Sequence, residues 1–292
     1  MISASPSPSE AMRMVLSADL NPLKPVQTNH DIGEKPGARG GLLVSIVMPA
    51  YRLAGRIEES IRRVEEIASS LGSPYEIIVV DDGSDDDTYS RIARMSDGSR
   101  IRGYRLEKNS GKGAALRFGF SKSRGSIIIF FDADLDISPR QIKLLVDTLR
   151  RSGADMVITS KWHPDSVTDA SFSRKILSKG FYMLAKLLLG LRVSDTQTGA
   201  KAFKRKVLED VLCLVKTSRY AFDVELLTAA YSLGYRALEV PALWRINLRR
   251  RFKAREILVM LEDLLRIAWR HRVRRLYSRG KCRGGNSKDT LA

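Results

Sequence analysis

Three carboxylates within five residues, Asp132, Asp134 and Asp136, follow directly on the apolar run Ile127 to Phe131. Such a run ends inside a core, and three negative charges at its end are costly to desolvate unless a cation compensates them. Hard oxygen ligands suit Mg²⁺ or Mn²⁺, which keeps coordination positions for water and substrate phosphates. An ion held there can neutralise a departing diphosphate. Two further clusters belong to the same chemistry. Asp81-Asp82-Gly83-Ser84 offers carboxylates to the base and ribose of a nucleotide, or is an ordinary Asp-Gly turn. Ser110-Gly111-Lys112-Gly113 opens a helix with a loop in which backbone N–H groups and Lys112 can meet phosphate, although it lacks the spacing of a P-loop.

These clusters need a frame that brings them together. From residue 44 onward, short β-branched runs alternate with amphipathic segments of helical length, the pattern of a parallel sheet covered by helices. Strands are predicted at Val44–Met48, Glu76–Val80, Ile101–Leu106, Ser126–Phe131 and Asp155–Thr159. Ser138 is the expected N-cap of the helix after the fourth strand, with Pro139 in its first turn. Ligands of open α/β sheets collect at the carboxyl ends of the strands, and the unusual ends here are Pro49-Ala50-Tyr51, Asp81 to Asp87 and Asp132 to Asp136.

Around this frame the composition shifts. Residues 1–40 are rich in Ser, Pro, Gly and charge and read as a flexible leader, with no apolar stretch of signal-peptide length. Residues 41–250 form the α/β domain, and 251–292 a basic amphipathic helix and tail in which Ile257, Leu261, Leu264, Leu265 and Ala268 recur at helical spacing between arginines. No window approaches the roughly 18 to 20 apolar residues of a membrane span, because the best one, Phe181 to Leu191, is broken by Lys186. Cys213 and Cys282 form no pattern of a disulfide framework or a zinc site, which is compatible with a reducing compartment. The net charge of +17 calls for an anionic partner: nucleic acid, anionic lipid or a phosphorylated substrate.

With these residues assembled, the segment from Val44 to about Arg255 resembles a family 2 glycosyltransferase of the GT-A fold. The resemblance rests on Val47-Met48-Pro49-Ala50-Tyr51, Val79-Val80-Asp81-Asp82-Gly83-Ser84, Asn109-Ser110-Gly111-Lys112-Gly113 and Phe131-Asp132-Ala133-Asp134-Leu135. Within that family, Asp195 to Phe203 and Tyr220 to Leu227 are similar to dolichyl-phosphate mannose and glucose synthases, closer to the latter. The resemblance implies a mostly parallel, Rossmann-like sheet flanked by helices, with a nucleotide sugar, GDP-mannose or UDP-glucose, as donor. It implies donor contacts from Pro49, Tyr51, Val80, Asp81, Asp82, Lys112, Asp132 and Ala133, a metal held by Asp132, Asp134 and Asp136, and a catalytic part for Asp134. Departures are Arg52 and Leu53 after Tyr51, where Asn and Glu are usual, and Asp136, where mannose synthases carry Gln.

The acceptor this implies is dolichyl or another polyprenyl phosphate, already ionised near neutral pH, so that no general base is needed. Cations must then offset the repulsion between two anions. Arg174 and Ser178 fit the family's lipid-phosphate contacts, Lys161 stands where an Arg is usual, and Arg245 and Lys253 are further candidates. Segment 171–192 and the helix from Ala254 would rest in the membrane interface on the cytoplasmic face, drawn to anionic lipid by basic residues, unless both pack on the soluble core. A glycan acceptor would instead require a carboxylate base, with Asp195 or Asp223 as candidates. A nucleic-acid-binding role for the Arg-rich tail would leave Asp132 to Asp136 without a purpose.

Overall fold

The computed structural model describes residues 43–168, 180, 183–191, 193–219, 221–244, 254–273 and 276–278. By its contacts the chain divides into Met1–Gly40 and Gly41–Ala292, and every described residue belongs to the second unit.

Seven strands form one sheet: β1 (Val44–Ala50), β2 (Tyr75–Asp81), β3 (Ile101–Arg105), β4 (Ile127–Phe131), β5 (Met156–Ser160), β7 (Ala200–Lys204) and β8 (Ala237–Pro241). Their order is β3-β2-β1-β4-β7-β5-β8, while β6 (Val167–Thr168) and β9 (Leu243–Trp244) pair separately. All neighbours in the large sheet run parallel except β7, which lies antiparallel between β4 and β5. The chain order reverses between β1 and β4, the switch point at which a crevice opens beyond the strand ends. Tyr51, Asp82 and Asp132 directly follow β1, β2 and β4 there.

The strands are apolar on both faces because both are covered. Ile46, Met48, Ile77, Val79, Ile129, Phe131 and Val157 pack against α1 (Ile57–Ser69) and α4 (Gln141–Ser152). Val47, Ile78, Val80, Ile128, Phe130 and Ile158 face α3 (Lys112–Lys122), α5 (Arg205–Val211), α6 (Phe222–Ser232) and α7 (Ala254–Arg272). Helix α2 (Thr88–Met95) contributes buried Thr88 and Ile92. This alternation is the period-two signature of a strand buried on both sides. Ser138 does not cap α4 with its hydroxyl: the helix begins at Gln141, whose N–H donates to the Ser138 carbonyl at 3.0 Å. Cys282 lies outside the described residues.

The carboxyl-terminal helix α7 is seated on the sheet domain by a buried ionic node as well as by Leu264 and Ile267. Glu225, fully buried in α6, accepts hydrogen bonds at Oε2 from the N–H groups of Lys216 (2.9 Å) and Thr217 (2.7 Å) and from the Thr217 hydroxyl (2.7 Å). Its Oε1 pairs with Arg270 of α7 at 2.9 Å and accepts the hydroxyl of buried Tyr277. Removing one partner of a buried pair strands the other charge at about 3–5 kcal/mol. Glu225→Ala is therefore expected to destabilise the protein by that amount, read as a lower denaturant midpoint. A midpoint unchanged within error would show that the node does not hold α7.

Candidate donor and metal site

Each strand end brings its polar residues to the crevice by a different local device. After β1, the chain turns at Arg52, a non-glycine residue at φ 51°, whose N–H donates to Ser84 Oγ at 2.9 Å. Its guanidinium pairs with Asp85 at 2.6 Å and lies over the half-exposed Tyr51 ring at 5.2 Å. So Arg52, where an Asn is usual, ties the first strand end to the second.

After β2, Asp81 and Asp82 are both buried. Asp81 accepts the Ser84 hydroxyl and lies 3.4 Å from Arg105 Nε. Asp82 accepts the N–H groups of Ser110 and Gly111, each at 2.8 Å. Burial raises the pKa of Asp82 against the pull of those two amides. Asp82 thus fastens the loop ahead of α3. Gly83 closes the turn at φ 65°, where an added Cβ would meet the Lys108 backbone at 2.5 Å.

After β4, Asp132 sits over Gly199. Its N–H donates to the Gly199 carbonyl at 2.8 Å, and a Cβ at position 199 would lie 2.6 Å from Asp132 Oδ2. Lys112, the first residue of α3, places Nζ 2.7 and 3.0 Å from the two Asp132 oxygens and 3.3 Å from Asp223 Oδ2. Asp223 Oδ1 in turn accepts Lys201 Nζ at 2.7 Å. Burial raises Asp132, opposed by Lys112 and reinforced by the charge of Asp134. Burial works against the Lys112 ammonium, yet Asp132 and Asp223 outweigh it and leave that pKa raised. Lys201 is lowered, chiefly by burial, whereas Asp223 is lowered because two lysines overcome its burial.

Among the described residues, no three His, Cys, Asp or Glu side chains converge as a metal cage. Between Asp134 and Asp136, Leu135 turns the chain at φ 58°, and the Asp136 N–H donates to Asp134 Oδ1 at 3.2 Å. Asp132 and Asp134 are close enough for the charge of Asp134 to raise Asp132. One or two carboxylates beside substrate phosphates are a usual seat for Mg²⁺, so the donor set fits a hard divalent cation.

Several expected donor residues contribute otherwise than through exposed side chains. Val80 and Ala133 are buried in the two apolar cores, so only their main chain can face a ligand. Pro49 is half-buried in β1, paired in register with Val80. Asp195 is buried, accepts the N–H groups of Gln197 (3.1 Å) and Lys161 (3.2 Å), and lies 3.7 Å from Lys161 Nζ. Lys161 also places its ammonium 4.6 Å above the Trp244 ring. Arg174, Ser178, Arg245 and Lys253 lie outside the described residues. The sequence reading passed over Lys201. Its signal is a lone charge inside the apolar strand Ala200-Lys201-Ala202-Phe203, which a strand buried on both faces tolerates only beside a partner.

The profile described as Glycosyl transferase family 2 matches residues 45–212, which include every strand end of the crevice. Glycosyltransferase AglD of Haloferax volcanii is 34% identical over 243 residues, 80% of this chain but only 38% of that protein's length. The dolichyl-phosphate beta-glucosyltransferase of Drosophila melanogaster is 33% identical over 220 residues, 70% of this chain and 67% of its own. In fold, the chain is similar to glucosyl-3-phosphoglycerate synthase from Mycobacterium tuberculosis in complex with uridine-diphosphate. That match has a TM-score of 0.59 and 22% identity, and covers 81% of this chain and 85% of that one.

Proposed function

This chain belongs to glycosyl transferase family 2, and from that premise we propose that it moves a hexose, glucose in preference to mannose, from a nucleotide sugar to dolichyl or another polyprenyl phosphate. The observation that carries the acceptor is the Drosophila relative, a dolichyl-phosphate beta-glucosyltransferase whose similarity runs through 67% of its length. The donor half is supported by the Asp132, Asp134 and Lys112 arrangement at the switch point.

In this reading a phosphate oxygen of the acceptor attacks the anomeric carbon from the face opposite the leaving nucleoside diphosphate. One carbon–oxygen bond forms as another breaks, and the sugar's configuration inverts. The attacking oxygen carries no proton, so no residue has to remove one. Asp195, engaged by Lys161 and Gln197, then serves to orient Lys161 rather than to act as a base. A divalent Mg²⁺ or Mn²⁺ held by Asp132 and Asp134 would supply charge neutralisation at the leaving diphosphate. Tyr51, Pro49, Asp81 and Asp82 would frame the nucleoside. Lys161, together with Arg174, Ser178, Arg245 and Lys253, would take the acceptor phosphate, since two anions approach in line only where cations offset their repulsion.

The test incubates the protein with Mg²⁺ or Mn²⁺, a polyprenyl phosphate and radiolabelled UDP-glucose or GDP-mannose in turn. The expected result is label from UDP-glucose in an organic-extractable lipid phosphate. Label that enters only water-soluble glycans, never the lipid, would sink the acceptor assignment.

A lipid acceptor has to be met at a bilayer. None of the described helices is long and apolar enough to cross a membrane. Helix α7 and the residue that follows it present two apolar strips: Met260, Leu264 and Ile267 are buried on the domain, while Leu265, Trp269 and Val273 are exposed. Met183 and Leu187 are also exposed, and Arg272 joins the two segments by donating to the Leu187 and Leu188 carbonyls, each at 2.7 Å. We assign this outward strip, flanked by exposed Lys186, Arg266 and Arg272, to the surface of an anionic membrane. Each basic residue near such a surface adds about 1 kcal/mol of attraction. Leu265→Ser/Trp269→Ser should reduce sedimentation with phosphatidylserine-containing vesicles about tenfold, with an unchanged melting curve. Undiminished sedimentation would remove this strip from the contact.

A further inference from the structure

Asp132, Lys112, Asp223 and Lys201 form a line of alternating charge, and its two carboxylates are not equivalent. Lys112 covers both oxygens of Asp132, at 2.7 and 3.0 Å, while a single oxygen of Asp223 lies beside it at 3.3 Å. A divalent cation approaching Asp132 meets an ammonium already on the same two oxygens. We infer that Lys112 is the built-in counter-cation of Asp132 in the metal-free protein, and that Asp223 is the seat that receives its ammonium when a divalent cation takes Asp132. The inference rests on the proposed reading of Asp132 and Asp134 as metal ligands.

The surroundings allow that exchange and little else. The backbone on both sides of Lys112 is fixed: the Gly113 N–H donates to the Ser218 carbonyl at 2.7 Å. A Cβ at position 111 would lie 2.4 Å from the same oxygen, and one at position 113 would lie 2.4 Å from the Phe222 ring. Only the lysine side chain, 30% exposed, is left to move. Asp223 is aimed from behind, because its other oxygen is taken at 2.7 Å by Lys201, which is 1% exposed and also donates to the Thr198 carbonyl. Lys201 is too deeply buried to reach a ligand in the crevice. Its effect is to turn Asp223 Oδ2 toward Lys112, so Asp223 and Lys201 are positioning residues.

The test measures Mn²⁺ binding to the full-length protein by electron paramagnetic resonance of free Mn²⁺, without nucleotide or acceptor. Lys112→Met frees Asp132 of its competitor, so Mn²⁺ should bind about tenfold more tightly than in the wild type, the factor by which a tenfold-favoured closed state depresses an apparent affinity. Asp223→Asn removes the receiving seat and should shift binding the other way, several-fold weaker. Because that change strands buried Lys201, Lys201→Met/Asp223→Asn is measured alongside, with melting curves, and should weaken Mn²⁺ binding in the same direction. In Lys112→Met/Asp223→Asn the effect of Asp223 should vanish, as expected when one residue acts through the other. Binding by Lys112→Met no tighter than wild type, while Asp134→Asn still loses Mn²⁺, would overturn the inference and leave the metal reading standing. Equal Mn²⁺ binding by wild type and Asp134→Asn would instead overturn both, by placing the ion elsewhere.

Discussion

Asp134→Ala is expected to lower the rate of sugar transfer by about a thousandfold, the equivalent of about 4 kcal/mol of lost stabilisation of the leaving group. The effect should fall on kcat at saturating donor, since the charge that needs compensation grows as the bond breaks and is small in the bound substrate. Asp134 is the member of the carboxylate pair placed for this work: its Oδ1 accepts the Asp136 N–H, whereas both oxygens of Asp132 face Lys112. The corresponding change at Asp136 should cost less, because the contact it makes with Asp134 Oδ1 is through its backbone N–H, which the substitution keeps. Single-turnover transfer with labelled donor decides between them. Near-normal turnover in Asp134→Ala would refute the metal assignment, and equal losses at Asp134 and Asp136 would support the three-carboxylate arrangement suggested by their spacing.

Gly199→Ala should cost about a hundredfold in transfer although position 199 carries no functional group. The added methyl would lie 2.6 Å from Asp132 Oδ2 and 2.9 Å from its carboxyl carbon, closer than non-bonded atoms tolerate. Either β7 or the Asp132 carboxylate must move. β7 is fixed on both sides by antiparallel pairing to β4 and β5, so the carboxylate yields. Displacement of a positioning group by about 1 Å is worth about two orders of magnitude in rate. Gly55→Ala, where an added Cβ has nothing within 4 Å, is the control for a general effect of glycine replacement. Transfer by Gly199→Ala within a few-fold of wild type would mean that Asp132 is not held where its oxygens must be.

How much of this was legible beforehand differs from residue to residue. The frame was readable because strands such as Ile127–Phe131 and amphipathic helices such as Ile57–Ser69 announce themselves by local periodicity. The antiparallel strand Ala200–Lys204 was not. Nothing local states that a strand late in the chain inserts between β4 and β5. Helix α6 was also hard to read by amphipathicity, since Phe222 through Ala230 are all buried and no polar face is left to mark it.

The same contrast holds at the site. Residue types at strand ends determined, by themselves, that carboxylates and a lysine-bearing glycine loop would gather in one crevice, because parallel α/β units deliver every strand's carboxyl end to the same edge. The sequence also determined the family, through segments whose order and spacing needed no coordinates. Only the tertiary structure decided which carboxylates are free to act. It assigned Asp82 to the Ser110 and Gly111 amides and Asp195 to Lys161. It also set Lys201 and Asp223 behind Lys112. The physical reason is that a carboxylate's role depends on which donors reach its oxygens. At Asp132 the donor is Lys112, 20 positions away, which it shares with Asp223, 91 positions from Asp132, and no local pattern encodes their meeting.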